Sequence, residues 1–213
     1  SIGVGNYFDA TADFYTSRAL NRDERLDVGL NHLSSSGDIK DAFLSTKFYN
    51  TKLGADYTTT SRDLTWGADF GFQHQLYNWY GVPKDAFSET VIDGIDSKQN
   101  YFMGEAGAHM SKDNSFFKGG ELRYRRFWDA VKSGENRAYF TPEFEFPIND
   151  EVVALDVKID YVGGSFKNAS LNNTDNDMGI NYGQLQFGIS PSLQMLKDDL
   201  TLNLGVGLVY GLD

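Results

Sequence analysis

The chain has 213 residues with 30 acidic against 19 basic side chains, a formal net charge of −11, which argues against a nucleic-acid binder because such proteins present a basic face to phosphates. Cysteine is absent, excluding disulfides, thiolate nucleophiles and cysteine-bound metals, and an aromatic content of 15% is too high for a disordered acidic chain. No run of about 18 apolar residues occurs, so no segment reads as a membrane-crossing helix.

Apolar residues recur at spacing two, the period of a strand, rather than at three and four. The alternation predicts about ten strands, at 2–16, 24–34, 42–59, 63–79, 100–111, 116–129, 137–148, 151–162, 180–193 and 200–212. It slips in the first and third, where a bulge is expected. In the fourth, Leu64, Trp66, Ala68, Phe70 and Phe72 oppose Thr65, Gly67, Asp69, Gly71 and Gln73. The seventh sets Ala138, Phe140, Pro142, Phe144, Phe146 and Ile148 against Tyr139, Thr141, Glu143, Glu145 and Pro147. The last alternates Leu200, Leu202, Leu204, Val206, Leu208, Tyr210 and Leu212 with mostly small or polar residues.

One hairpin predicts its own register. A two-residue loop at Asn149-Asp150 pairs Phe146 with Val153, Phe144 with Leu155, Pro142 with Val157 and Phe140 with Ile159. On the opposite face it pairs Glu145 with Ala154, Glu143 with Asp156 and Thr141 with Lys158. A slip of one residue would mix the faces. The like-charged Glu143/Asp156 pair is unfavourable alone, and Lys158, Arg123 and Arg125 are expected to balance it.

Connections alternate in length. Ser61-Arg62, Ser111–Ser115, Asn149-Asp150 and Lys197–Asp199 are short, with Ser17–Asp23 a longer member of that set; Ser35–Asp41, Tyr80–Gln99, Ala130–Asn136 and Gly163–Gly179 are long. That order suits an up-and-down meander with two distinct ends. Each strand with its connection takes about 21 residues, against 8–12 in soluble sandwiches and barrels. The expected fold is therefore all-β, an antiparallel up-and-down transmembrane β-barrel. Aromatics crowd the strand ends, at Phe14-Tyr15, Tyr77, Trp79, Tyr80, Tyr101-Phe102, Phe116, Phe117, Phe127, Trp128 and Tyr161, and read as membrane-interface girdles. With short turns placed on the periplasmic side, both Ser1 and Asp213 fall on the outer side. Complete barrels keep both ends in the periplasm, so residues 1–213 are expected to be one segment, about ten strands of a larger barrel.

The inward faces carry a mixed-sign lattice. Glu121, Arg123 and Arg125 share one face, the next strand adds Glu143 and Glu145, and the following one Asp156, Lys158 and Asp160. Such charges commonly pair and stiffen the wall; in a functional role, the arginines would select anionic solutes. Gly67, Gly71, Gly205, Gly207 and Gly211 either leave room in the lumen or permit close packing. His32, His74 and His109 stand on different strands without metal-ligand spacing. His74, with Asn78, belongs to the lipid face as a girdle residue. No nucleophile elbow, phosphate loop or paired-carboxylate geometry is present, so neither an enzyme nor a metal or cofactor site is expected. Asp85, Glu89, Asp93 and Asp96 in one long loop, and "NASLNNTDND" in another, offer oxygen ligands for Ca²⁺ or a partner surface; a hydrated loop is the commoner outcome.

Three stretches resemble a known family: "GADFGFQHQLYNWYGVP" (67–83), "SFFKGGELRYRRFWD" (115–129) and "KDDLTLNLGVGLVYGLD" (197–213). They are similar to Bacteroidota outer-membrane β-barrel proteins of the TonB-dependent-receptor-like kind, through strand texture over most of the chain. The resemblance implies a bacterial outer-membrane location, contact with outer-membrane lipid and with other outer-membrane or periplasmic proteins, and receptor- or porin-like passage of solutes. Its alternative is a non-transporting partner barrel in a protein-secretion or barrel-assembly complex. The plug domain and TonB-contact segment of true transporters do not appear among residues 1–213.

Overall fold

The computed structural model describes every residue except 38, 41, 43, 80, 82–87, 95, 150, 168–178 and 198–199. The strands are β1 (Ile2–Val4), β2 (Asp9–Ala19), β3 (Glu24–Ser35), β4 (Phe48–Ser61), β5 (Leu64–Asn78), β6 (Lys98–Lys112), β7 (Phe117–Asp129), β8 (Gly134–Ile148), β9 (Glu151–Phe166), β10 (Ile180–Lys197), β11 (Leu200–Gly205) and β12 (Leu208–Leu212), with one short helix, α1 (Glu89–Asp93), between β5 and β6. They form a single antiparallel sheet in which β1 to β11 follow chain order and β12 lies beside β10. No pairing joins its two edges among the described residues, so the sheet is up-and-down and open.

The hairpin of β8 and β9 has the expected register. Phe146 faces Val153, Phe144 faces Leu155, Phe140 faces Ile159, Glu145 faces Ala154 and Glu143 faces Asp156. The ladder lapses between Phe140 and Glu143, because Pro142 has no N–H to donate. Asn149 takes a left-handed φ of 56° in the turn, a conformation that its short polar side chain tolerates. Arg62, at φ 43°, does the same for β4 and β5, whose loop is Arg62-Asp63, one residue beyond the expected pair.

Several features depart from the sequence reading. The first predicted strand reverses on itself: a 3-10 turn at Asn6–Phe8 folds β1 back onto β2, with Ile2 facing Ala12. Gly5 and Asn6 supply the turn chemistry, and the Gly5 N–H donates to the Asp9 carbonyl at 2.9 Å. The last predicted strand becomes β11 and β12, both in one register on β10. The gap lies where Val206 meets Pro191, which accepts a hydrogen bond from Val206 N–H at 3.1 Å but has no N–H to return.

The bulge occurs in β7, between Phe117 and Gly119, and not in the first or third predicted strand. Gly119 makes it possible, since a Cβ there would strike the Met110 carbonyl oxygen. Finally, the connection read as Ala130–Asn136 is compressed to residues 130–133. Asp129 Oδ1 accepts the N–H groups of Val131 at 3.0 Å and Ser133 at 2.7 Å, and Lys132 adopts φ 69°. Residues 79–97 and 167–179 are long connections as read, whereas the one read as Ser35–Asp41 extends over 36–47, so the third predicted strand begins at Phe48 and not at residue 42.

The sheet is one layer. Leu76 (4% exposed) and Ile92 (5%) are the buried apolar residues among those described. The accessible surface is 15217 Å², against roughly 9,900 Å² for a compact protein of this mass. One face is an apolar wall. Leu26, Tyr57, Ala68, Ala108, Leu122, Phe140, Ile159, Phe187 and Tyr210 are successive register partners from β3 to β12. The adjacent row on the other face reads Asp27, Asp56, Asp69, Gly107, Arg123, Tyr139, Asp160, Gln186 and Gly211.

Candidate functional site on the polar face

Period two delivers the charged side chains of β5 and β7 to β9 to one face, where they assemble into two interlocked groups. Arg123 on β7 donates from Nε to Glu121 Oε1 at 2.8 Å. Its two terminal nitrogens hold Asp69 of β5, each at 3.0 Å, in a bidentate clasp. The clasp passes over β6 at Gly107, where a Cβ would come within 2.5 Å of Asp69 Oδ1. Tyr139 on β8 completes the group by donating to Glu121 at 3.1 Å.

The second group centres on Asp160 of β9, whose side chain is buried. It accepts from Arg137 Nε at 2.9 Å and Nη2 at 2.6 Å, and Lys158 Nζ lies 3.0 Å away. Between the groups, Arg125 stands 3.8 Å from Glu135, which also accepts a hydrogen bond from Tyr182. Lys118, turned inward by the bulge, pairs with Glu145 at 3.1 Å.

All eight lattice residues read from the sequence share this face by register. Glu121 with Arg123, and Lys158 with Asp160, are direct pairs; Arg125 and Glu145 find partners outside the predicted set. The expected balancing of Glu143 and Asp156 does not occur. Lys158 goes to Asp160, Arg123 to Glu121 and Asp69, and Arg125 to Glu135, so neither carboxylate has an ion-pair partner among the described residues. Asp69, Lys118, Glu135, Arg137, Tyr139 and Tyr182 join the network without having been singled out. All but Lys118 had one signal, membership of the polar period; Lys118 falls on the apolar period of Gly120 and Leu122 and reaches this face only through the bulge, and the reach of Arg123 across a whole strand had no signal.

Toward β2 the polar face hollows into a cavity of ≈ 740 Å³. Gly29, Gly54 and Gly71 form its floor as register partners, with Asp13, Asp27, Asp56, Asp69, Glu105 and Lys52 around them. Gly71 and Gly67 make room: a Cβ would meet Glu105 at 2.8 Å in the first case and the His109 ring at 2.6 Å in the second. Gly205, Gly207 and Gly211 meet only ordinary contacts near β10. No grouping of three or more metal-ligating side chains occurs among the described residues.

The aromatics divide between the faces. On the apolar wall Trp128 stacks on Phe102 (5.5 Å), which stacks on His74 (4.6 Å), and His74 reaches Asn100 at 3.1 Å. At the opposite end Phe116 lies 6.4 Å from Phe144 and Phe146, and Phe117 lies 5.5 Å from Phe144. Tyr15, Tyr77, Tyr101 and Phe127, read as girdle residues, are on the polar face instead, Tyr101 linking Tyr77 and Phe127 at 6.5 and 6.0 Å. Adjacent strand residues point oppositely, so Phe127-Trp128 contributes one ring to each side. Trp79 is exposed just beyond β5. Tyr80, Asp85 and the "NASLNNTDND" segment lie outside the described residues, as do the side chains of Glu89 and Asp93. Compared with known proteins, the chain matches no family model, no curated protein and no solved structure.

Proposed function

We propose that this chain is the lipid-facing wall of a bacterial outer-membrane β-barrel that serves receptor- or porin-like passage of solutes. The observation that carries this reading is a single-layer sheet with one predominantly apolar face that nothing in the described chain covers. Water does not tolerate such a patch, whereas lipid requires one. By register, the charged residues of that face whose side chains are described stand at strand ends (Arg18, Glu24, Lys98, Lys112 and Glu151), apart from Arg126. From Leu185 to Met195 on β10 the wall runs ~34 Å along the strand, or ~25 Å at the ~40° tilt of such barrels, the height of the usual apolar band. Unpaired strand edges are costly in hydrocarbon, so in this reading the sheet closes, through its own edges or further strands. The likeness to TonB-dependent-receptor-like barrels points the same way.

The polar face then lines the lumen, with Arg125 and its neighbours exposed to passing solutes. Reconstitution into planar bilayers tests this: wild type conducts, and Arg123→Gln/Arg125→Gln shifts selectivity away from anions. Unchanged conductance and selectivity would reject the pore. The second reading, a non-transporting partner barrel of a secretion or assembly complex, draws support from the clasping of Arg123 and Arg137 by carboxylates. A stable protein complex from detergent extracts, without conductance, is its signature.

A further inference from the structure

Arg126 is the exception on the apolar wall. Its register partners are Gly104 and Asn136, one row inside Trp128. The arginines of the polar face that form the lattice are each held by a carboxylate. The Arg126 guanidinium instead lies over the Trp128 ring, 5.9 Å from its centroid, and has no carboxylate partner among the described residues. Lys132, in the turn above, likewise forms no ion pair among them. Both line a cavity of ≈ 640 Å³ that opens on this face. Asp129 is there too, but its Oδ1 is occupied by two backbone N–H groups of the turn.

The cavity has the form of a groove along β8. Gly134 and Asn136 of β8 line this groove with Trp128 and Arg126 of β7 and Tyr161 and Gly163 of β9, and Ala138, the register partner of Tyr124 and Tyr161, continues the row beyond it. Gly163 allows the Tyr161 phenol to lie over it, a position that a Cβ would block. Further along the wall the floor gives way to Phe140, flanked by Leu122 and Ile159. The groove is thus cationic and aromatic at the level of the Trp128 stack and hydrocarbon beneath. An unpaired guanidinium at a membrane boundary gains most from a charge-assisted pair with an anion, and here the anion must also present an apolar body.

We propose that this groove docks a lipid with a phosphate headgroup, the phosphate between Arg126 and Lys132 and the acyl chains along Leu122, Phe140 and Ile159. The proposal rests on the reading that the apolar wall faces lipid. The test uses the full chain with Trp66→Phe and Trp79→Phe, leaving Trp128 as its single tryptophan, reconstituted into phosphatidylcholine vesicles. Trp128 fluorescence is followed as chain-brominated phosphatidic acid or chain-brominated phosphatidylcholine is included. The proposal expects brominated phosphatidic acid to quench several-fold more strongly at equal content, with the ratio falling to one in Arg126→Gln/Lys132→Gln. Equal quenching by both lipids would overturn it while leaving the membrane reading intact. Inorganic phosphate abolishing the preference would overturn it in favour of a free-anion site. Quenching by neither lipid would overturn both it and the membrane reading.

Discussion

Gly107 separates Asp69 from Arg123 in the register, and its missing side chain lets a guanidinium on β7 reach a carboxylate on β5. With alanine there, the new methyl would lie 2.5 Å from Asp69 Oδ1 and 3.1 Å from Arg123 Cζ. A double-mutant cycle of Asp69→Asn and Arg123→Gln is expected to give a coupling of about 0.5–3 kcal/mol that collapses toward zero in a Gly107→Ala background. Asp160 sets a second case, for its carboxylate serves Arg137 and Lys158 together. Asp160→Asn should cost about 1.5–3 kcal/mol, read as a lowered denaturation midpoint in detergent, and adding Arg137→Met should recover part of it by removing the stranded cation. Glu121 and Arg123 were legible in the sequence as neighbours of one face. Asp69 was not, because a strand stands between them and only its glycine opens the way.

Strands β8 and β9 show how far an element follows from its own residues. Apolar residues on one pleat and charges on the other set the register, and the Asn149 turn agrees with it. The same alternation separates two adjacent positions by environment. Ile159→Arg, on the apolar wall, should cost about 2–4 kcal/mol of folding into vesicles, measured by urea titration of the inserted protein. Lys158→Arg, one residue away on the polar face, should leave that midpoint nearly unchanged. Equal costs at the two positions would refute the assignment of faces. Two departures from expectation trace to single groups. The absent N–H of Pro191 interrupts the last strand. The Asp129 carboxylate, by accepting two amides, shortens a connection that composition alone made long.

At the scale of the molecule, a 15217 Å² surface with two open edges describes a wall and not a globule. Backbone groups at a sheet edge pair when lipid surrounds them. The amides of β12 and of residues 14–19 of β2 should therefore exchange slowly in vesicles, with protection lost when the protein is extracted into urea; rapid exchange in vesicles would rule out closure. The sequence by itself determined most of the strands, the face of the eight lattice residues and the hairpin register, because the pleat alternates at every residue and needs no distant partner. Tertiary structure alone decided the Arg123–Asp69 clasp, the return of β1 onto β2, the tight turn at 130–133 and the isolation of Glu143 beside Asp156. Those depend on which strands lie two apart and on which donor finds which acceptor, information that pairs of neighbouring residues do not hold.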